Sequence, residues 1–265
     1  MSPKEQKLRL GGMALRNGLL VHGPTHWAAA IRGRDGRIQV ASGRKAQFGS
    51  RALDGVPGVR GVSKLAEAFA VIPAVKRKLP EAGLPMEDVK AIGGMAAAAA
   101  VTHAIRRGGE RTLARETAVS LLGLAPALLV LRGGDIAAYH GVEHKAIAAY
   151  EQDGDAADAS KEHDRCGSNL VAPLLATTTI GNVALRRAGV KGSVADALSA
   201  IGGMALAMEL FAWSERHGGS KLASALRRPG YEIQRLVGTR EPTEEQLEVG
   251  RAALDEILRV ETRDS

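Results

Sequence analysis

Residues 28–41 read Ala28-Ala29-Ala30-Ile31-Arg32-Gly33-Arg34-Asp35-Gly36-Arg37-Ile38-Gln39-Val40-Ala41. Two short apolar runs, Ala28 to Ile31 and Ile38 to Ala41, flank Arg34-Asp35-Gly36-Arg37. Asp-Gly is a preferred pair for a tight hairpin, because glycine takes the left-handed backbone such a turn needs. The stretch is therefore read as a β-hairpin. Gly23-Pro24 and Val56-Pro57-Gly58 punctuate the same region, so residues 1–61 read as strand and turn. Beyond Val62 the period changes: Leu65, Phe69, Ile72 and Val75 recur at helical spacing up to Lys76-Arg77-Lys78. Pro80 and Pro85 break the chain, and uncharged stretches follow at 91–105, 117–131, 166–185 and 197–208. Near the C-terminus, Thr243-x-x-Gln246 forms a capping box ahead of Leu247, Leu254, Ile257 and Leu258, which share one helical face. The expectation is an α+β fold. A small β-rich N-terminal region, 1–61, precedes a mostly helical body, 62–265, and the two form one structural unit.

Composition narrows the functional classes. At 265 residues there is material for a substantial core, yet aromatic residues make up only 3%, so Ala, Leu, Val and Ile must fill it. The formal charge of +7 suits an anionic partner. The basic residues are scattered, as in Arg106-Arg107, Arg186-Arg187 and Arg227-Arg228, with no aromatic residues between them to stack on bases. That argues against nucleic acid and leaves an anionic membrane surface. Cys166 has no second cysteine to pair with, which points to a reducing compartment. Met1 to Arg9 is polar and basic with no apolar run after it, unlike a secretory signal.

A membrane-spanning helix needs about 20 apolar residues. Of the uncharged stretches only 166–185 reaches that length, and it contains Ser168, Asn169, Pro173 and Thr177-Thr178-Thr179. Length and periodicity thus favour buried helices, and the expected location is cytoplasmic, at the membrane surface. Ala-Ile-Gly-Gly-Met-Ala occurs at 91–96 and again at 200–205. Gly94 with Ala98, and Gly203 with Ala207, put small residues four apart, a spacing that lets helices approach closely. Six residues are too few to establish duplication, and the repeat is read as bias in an Ala/Gly-rich chain.

The chemistry is concentrated in Tyr139-His140-Gly141-Val142-Glu143-His144-Lys145. The spacing is H-x-x-E-H. On a helix, residues four apart share a face, so both imidazoles can reach one cation while Glu143 activates a water. Gly141 within the segment counts against the helix. After an acidic loop comes His163-Asp164-Arg165-Cys166-Gly167-Ser168, in which His163 or Cys166 can complete a zinc-like divalent site. Three protein ligands leave an open, catalytic position. Four, with both His163 and Cys166, would close the site into a structural one. Arg165 is the candidate to orient an anionic group.

A rival chemistry makes Cys166 a nucleophile activated by His140, His144 or His163. His22 and His26 flank Gly23-Pro24 and so cannot share a helical face, which makes them weaker ligand candidates. No Rossmann, P-loop or serine-hydrolase elbow motif is present.

These motifs resemble the YqhQ family, bacterial proteins of unknown function described as metal-dependent and often membrane-bound. Gly11-Gly12 through Gly18 to Gly23-Pro24, and Pro57-x-x-Arg60-Gly61, are similar to the family's opening motifs. Tyr139 to Lys145 and His163-x-Arg165-Cys166-Gly167 resemble its central motifs, and Arg228-Pro229-Gly230, Thr239-Arg240-Glu241-Pro242 and Glu248-Val249 its closing region. Met13 and Asn17 stand where the family usually has Gln and Glu, and His22 where it has Arg. The resemblance implies a metal site and membrane attachment, without a named reaction.

The functional expectation is a metal-dependent enzyme, hydrolytic in type, acting on a small-molecule or peptide substrate. Two alternatives stand beside it: a non-catalytic membrane-associated or assembly protein with a structural metal, and a cysteine-nucleophile enzyme.

Overall fold

The computed structural model of the chain describes residues 7–48, 56–87, 89–107, 112–132, 134–190 and 192–263. Most of the basic N-terminus therefore lies outside the described residues. β1 (Gly11–Leu15), β2 (Gly18–His22), β3 (His26–Arg32) and β4 (Ile38–Arg44) form an antiparallel meander in sequence order. The hairpin read from 28–41 is β3–β4, with Ala30 opposite Val40. Gly36 sits at φ 79°, and its amide donates to the Gly33 carbonyl at 3.0 Å.

Side chains alternate across a strand, so one sheet can serve two cores. Leu19, Val21, Ala28 and Ala30 face one cluster, while Leu20, Trp27, Ala29 and Ile31 face another. The second cluster is closed by Val71, Val75 and Leu79.

The helical body comprises α1 (Val59–Ala70), α2 (Ile72–Lys78), α3 (Val89–Arg107), α4 (Leu113–Leu131), α5 (Asp135–Gln152), α6 (Val171–Arg187), α7 (Gly192–Arg216), α8 (Lys221–Ile233) and α9 (Glu244–Arg263). The pattern Leu65–Val75 divides at Val71 into α1 and α2, with Pro73 in the first turn of α2. Because the two helices present different faces, Phe69 is 54% exposed while Glu67 on the same helix is buried. The capping box forms as read. The Thr243 amide donates to Gln246 Oε1 at 3.0 Å, and the Gln246 amide donates to Thr243 Oγ1 at 3.4 Å.

The first core joins β2, β3, α5 and α9. Buried Glu261 on α9 fixes the β2–β3 turn, accepting from the Thr25 amide at 2.9 Å, the His26 amide at 2.8 Å and Thr25 Oγ1 at 2.7 Å. Burial pushes this carboxyl up, but the hydrogen bonds from Thr25 and His26 outweigh it and hold it below the usual carboxylate range. A depressed carboxyl stabilises the fold above its unfolded pKa and loses that contribution as pH falls through the folded value. Glu261→Ala leaves buried amides unpaired and is expected to cost about 3 kcal/mol. Denaturant unfolding of the purified variant would measure the loss.

α3–α4 and α6–α7 are antiparallel helical hairpins, joined where α4 packs on α6. Their loop-side ends are stitched by Arg106–Glu116 at 3.2 Å, Arg106–Asp196 at 3.6 Å and Arg186–Asp196 at 2.8 Å. The repeated Gly-Gly segments lie at helix contacts. A Cβ on Gly203 would meet Thr178 Cγ2 at 2.6 Å, and one on Gly94 would meet Leu129 Cδ1 at 3.5 Å.

The expectation that the uncharged stretches are buried is corrected here. Leu113–Leu131, Gly167–Arg187 and Gly192–Arg216 are long and apolar enough to cross a membrane, and only 17%, 28% and 22% of their most apolar windows are buried. Leu113, Leu121 and Leu129 on α4, and Leu198, Ile201 and Leu206 on α7, face outward.

Candidate metal centre

α5 carries the H-x-x-E-H segment and is buried along nearly its whole length, from Ile136 to Ala149. Gly141 does not break it. The glycine is there because the 239–242 segment crosses the helix: a Cβ at 141 would lie 2.3 Å from the Arg240 carbonyl oxygen. The Arg240 amide donates to the Ala137 carbonyl at 2.9 Å, which locks that crossing. On α9, a Cβ at Gly250 would lie 2.4 Å from Val142 Cγ1. Two glycines therefore hold α5 at the contact distance of backbone, a gain that outweighs a propensity cost of about 1 kcal/mol for a helical glycine.

Both imidazoles face the same point, with ring centroids 4.4 Å apart. His140 Nδ1 lies 2.7 Å from the Gly238 carbonyl, and His144 Nδ1 lies 2.6 Å from the Lys161 carbonyl. A carbonyl only accepts, so each Nδ1 carries a proton, and in neutral His144 the Nε2 keeps its lone pair. His140 Nε2 is 3.4 Å from Cys166 Sγ. His144 Nε2 is buried with no hydrogen-bond partner among the described residues. One donor atom from each of His140, His144 and Cys166 lies within 4.8 Å of the other two. Burial, then the neighbouring His140, holds His144 well below the ordinary imidazole pKa, so its ring is neutral. Burial pushes the Cys166 thiol up.

Of the two candidates in the second motif, the geometry brings Cys166 to the imidazoles and leaves His163 beside them. His163 Nε2 is 3.3 Å from Glu151 Oε2, its Nδ1 accepts from the Arg165 amide at 3.2 Å, and its ring centroid is 5.7 Å from that of His144. Arg165 is ion-paired with the same Glu151. Cys166 is set by local backbone: its amide donates to the His163 carbonyl at 3.2 Å, and its sulfur caps the following turn by accepting from the Ser168 amide at 3.5 Å.

Glu143 is buried beside this cluster and outside it. Burial raises its carboxyl to about 7, with His140 pulling the other way. β1 gives it room, since a Cβ on Gly12 would fall 2.7 Å from Glu143 Cγ.

Some contributors were not apparent from spacing. Gln234 is fully buried, accepting from the His163 amide at 2.8 Å and donating to Ser168 Oγ at 2.9 Å, so it fixes the Cys166 loop. It lies in a π turn, Gln234–Gly238, which also supplies the carbonyl for His140. His22 lines the same cavity as the cluster and is lowered to about 4, first by burial and then by Lys45. His26 is apart from the site, against Thr25 at 2.8 Å and near Glu261. Asn17 is also apart. It ties the β1–β2 turn to the end of β3 through the Arg32 carbonyl and to the chain at 81–83 through the Glu81 carbonyl and the Gly83 amide.

The cluster opens on a cavity of about 800 Å³. Its walls are β1, the site residues of α5 and the 163–168 turn on one side, and Ala91, Met95, Gly123, Leu124, Ala127 and Leu128 of α3 and α4 on the other.

Comparison with curated proteins and with solved structures finds no match to the chain. Residues 130–260, the segment that contributes His140, Glu143, His144, His163, Arg165 and Cys166, match a family model described as a protein of unknown function, DUF1385.

Proposed function

We propose that this chain is a membrane-embedded, metal-dependent hydrolase in which His140, His144 and Cys166 hold a zinc-like divalent ion and Glu143 is the general base. The observation that carries the reading is His144 Nε2, a neutral lone pair buried without a partner and converging with a second imidazole and a thiol. An orphaned buried acceptor costs about 1–3 kcal/mol, and a cation would supply what it lacks. Each ring has its Nδ1 fixed on a carbonyl behind it, the arrangement in which Nε2 would be the ligand atom. The likeness of the two central motifs to the YqhQ family supports the same reading.

An ion held there supplies Lewis acidity. The protein's own residues do the rest. Glu143, poised near neutrality, accepts a proton from water as its oxygen bonds to the substrate's carbonyl carbon. The carboxyl then returns that proton to the departing oxygen or nitrogen as the old bond breaks. With His163 engaged by Glu151 and the Arg165 amide, His140, His144 and Cys166 are the residues that would hold the ion. Glu143→Gln is expected to keep the metal and to lower hydrolysis of esters or amides by about 10²–10⁴. Retention of full activity would remove Glu143 as the base.

Membrane embedding is supported by chain path as well as composition. The sheet, α5 and α9 share one core and so lie on one side of any membrane that is crossed. The route from β4 to α5 and the route from α5 to α9 must then each cross an even number of times. α6 and α7 supply the second pair, so α4 requires α3 as its partner, although α3 is not among the three helices apolar enough to qualify alone. Nineteen residues of α3 span about 28 Å at 1.5 Å per residue, close to a hydrocarbon core of about 30 Å. The protein is expected to stay with membranes through an alkaline carbonate wash and to leave them in detergent. Release by carbonate would contradict the embedding.

A cysteine-nucleophile enzyme is the second reading, favoured by the 3.4 Å between Cys166 Sγ and His140 Nε2. That reading leaves His144 Nε2 unexplained. Inactivation of metal-free protein by alkylating Cys166 would support it.

A further inference from the structure

We infer that the substrate is a single-chain amphiphile drawn from the bilayer, whose apolar tail lies between α3 and α4 while its polar linkage reaches His144. The inference rests on the metal-site reading and names its substrate class.

The cavity has two unlike ends. At one end stand His140, Glu143, His144 and Cys166, including the unpartnered His144 Nε2. At the other, the wall is made by α3 and α4, the first two helices of the membrane layer. Gly123 and Ala127, four residues apart on α4, both line the cavity and are both exposed. A Cβ on Gly123 would meet nothing within 4 Å. Gly123 shares a helical face with the buried Val119 and Pro126, so its exposure is to the cavity itself, and the smallest side chains available leave the cavity its room between α3 and α4. Gly123 lies eight residues before the end of α4, about 12 Å along the helix from Leu131. An apolar tail lying there is flanked by α3 and α4 at that depth, away from the polar end of the cavity.

Size selects the kind of lipid. A space of about 800 Å³ holds about 27 water-sized groups at roughly 30 Å³ each. That suits one long chain with its carbonyl linkage and is too small for a two-chain phospholipid. A soluble substrate would leave the α3–α4 end filled with water against apolar walls, which is unfavourable.

Cobalt-loaded protein in nanodiscs would be titrated with acetohydroxamate and with hexadecanoyl hydroxamate, following the visible bands of the metal. Both share one chelating head and differ only in the tail. Hexadecanoyl hydroxamate is expected to bind at least 100-fold more tightly by total concentration. Partition into the disc alone can raise apparent affinity, so the cavity is tested by filling it. Gly123→Trp is expected to weaken the long-chain ligand at least tenfold and leave acetohydroxamate unchanged. Leu121→Trp, on the exposed side of the same helix, is expected to change neither. If Gly123→Trp leaves the long-chain affinity intact, or if acetohydroxamate binds as tightly as the long-chain ligand, the inference is overturned. Failure of cobalt to bind at all would instead refute the metal reading beneath it.

Discussion

Replacing His144 with alanine is expected to lower metal affinity by about 100-fold or more, leaving less than a tenth of an equivalent per chain after dialysis against a moderate chelator. The wild type is expected to retain close to one. The size of the effect follows from the position: His144 is 2% exposed, and its Nδ1 proton is fixed on the Lys161 carbonyl. Cys166→Ala is expected to behave alike, because its sulfur is the third donor of the cluster. His163→Ala provides the contrast. That ring is engaged with Glu151 and the Arg165 amide, so metal content is expected to stay within a factor of two or so of wild type. Elemental analysis of detergent-purified proteins reads all of these. Equal metal loss in His163→Ala and His144→Ala would overturn the ligand assignment.

The second large effect is mechanical. Gly141→Val is expected to destabilise the fold by about 3 kcal/mol or more, since overpacking a site with no slack displaces backbone. The displaced group is the Arg240 carbonyl, 2.3 Å from where the new Cβ would stand. Moving it would pull on the Arg240–Ala137 hydrogen bond and on Gly238, whose carbonyl orients His140. Metal affinity and stability should therefore fall together. Gly93→Ala, with open space at its Cβ, is the control, expected to be neutral or to gain up to about 1 kcal/mol from helix propensity. Thermal unfolding with and without metal separates the two. A Gly141→Val protein as stable as wild type would mean that the crossing segment has room to move.

Much of this was legible in local chemistry. Asp35-Gly36 fixed the β3–β4 turn, Thr243 and Gln246 announced α9, and two histidines four apart marked the site. The choice of Cys166 over His163 was not legible, because it turns on a loop held by Gln234 from 71 residues downstream of His163. The partners that set both tautomers are backbone carbonyls, which carry no sequence signature. The exposed helices were misread for a different reason. Counting uncharged runs stops at Arg115, Glu116 and Glu209, yet α4 and α7 continue through those residues. Glu116 is admitted because Arg106 meets it at 3.2 Å, and Glu209 because Arg60 pairs with it. A charge with a partner does not end a helix, and only the folded chain reveals the partner.

The crossing of α5 by residues 239–242, and its packing under Gly250 of α9, also orders events in time. Until residues 238–263 have been translated, the imidazoles have been made but the peptide carbonyl behind His140 and the helix that covers Val142 have not docked. The α3–α4 and α6–α7 hairpins are synthesised before that lid of polypeptide. On the proposed reading, insertion into the membrane would precede loading of the ion, and a nascent chain truncated before α9 is expected to reach the membrane without becoming competent to hold a cation.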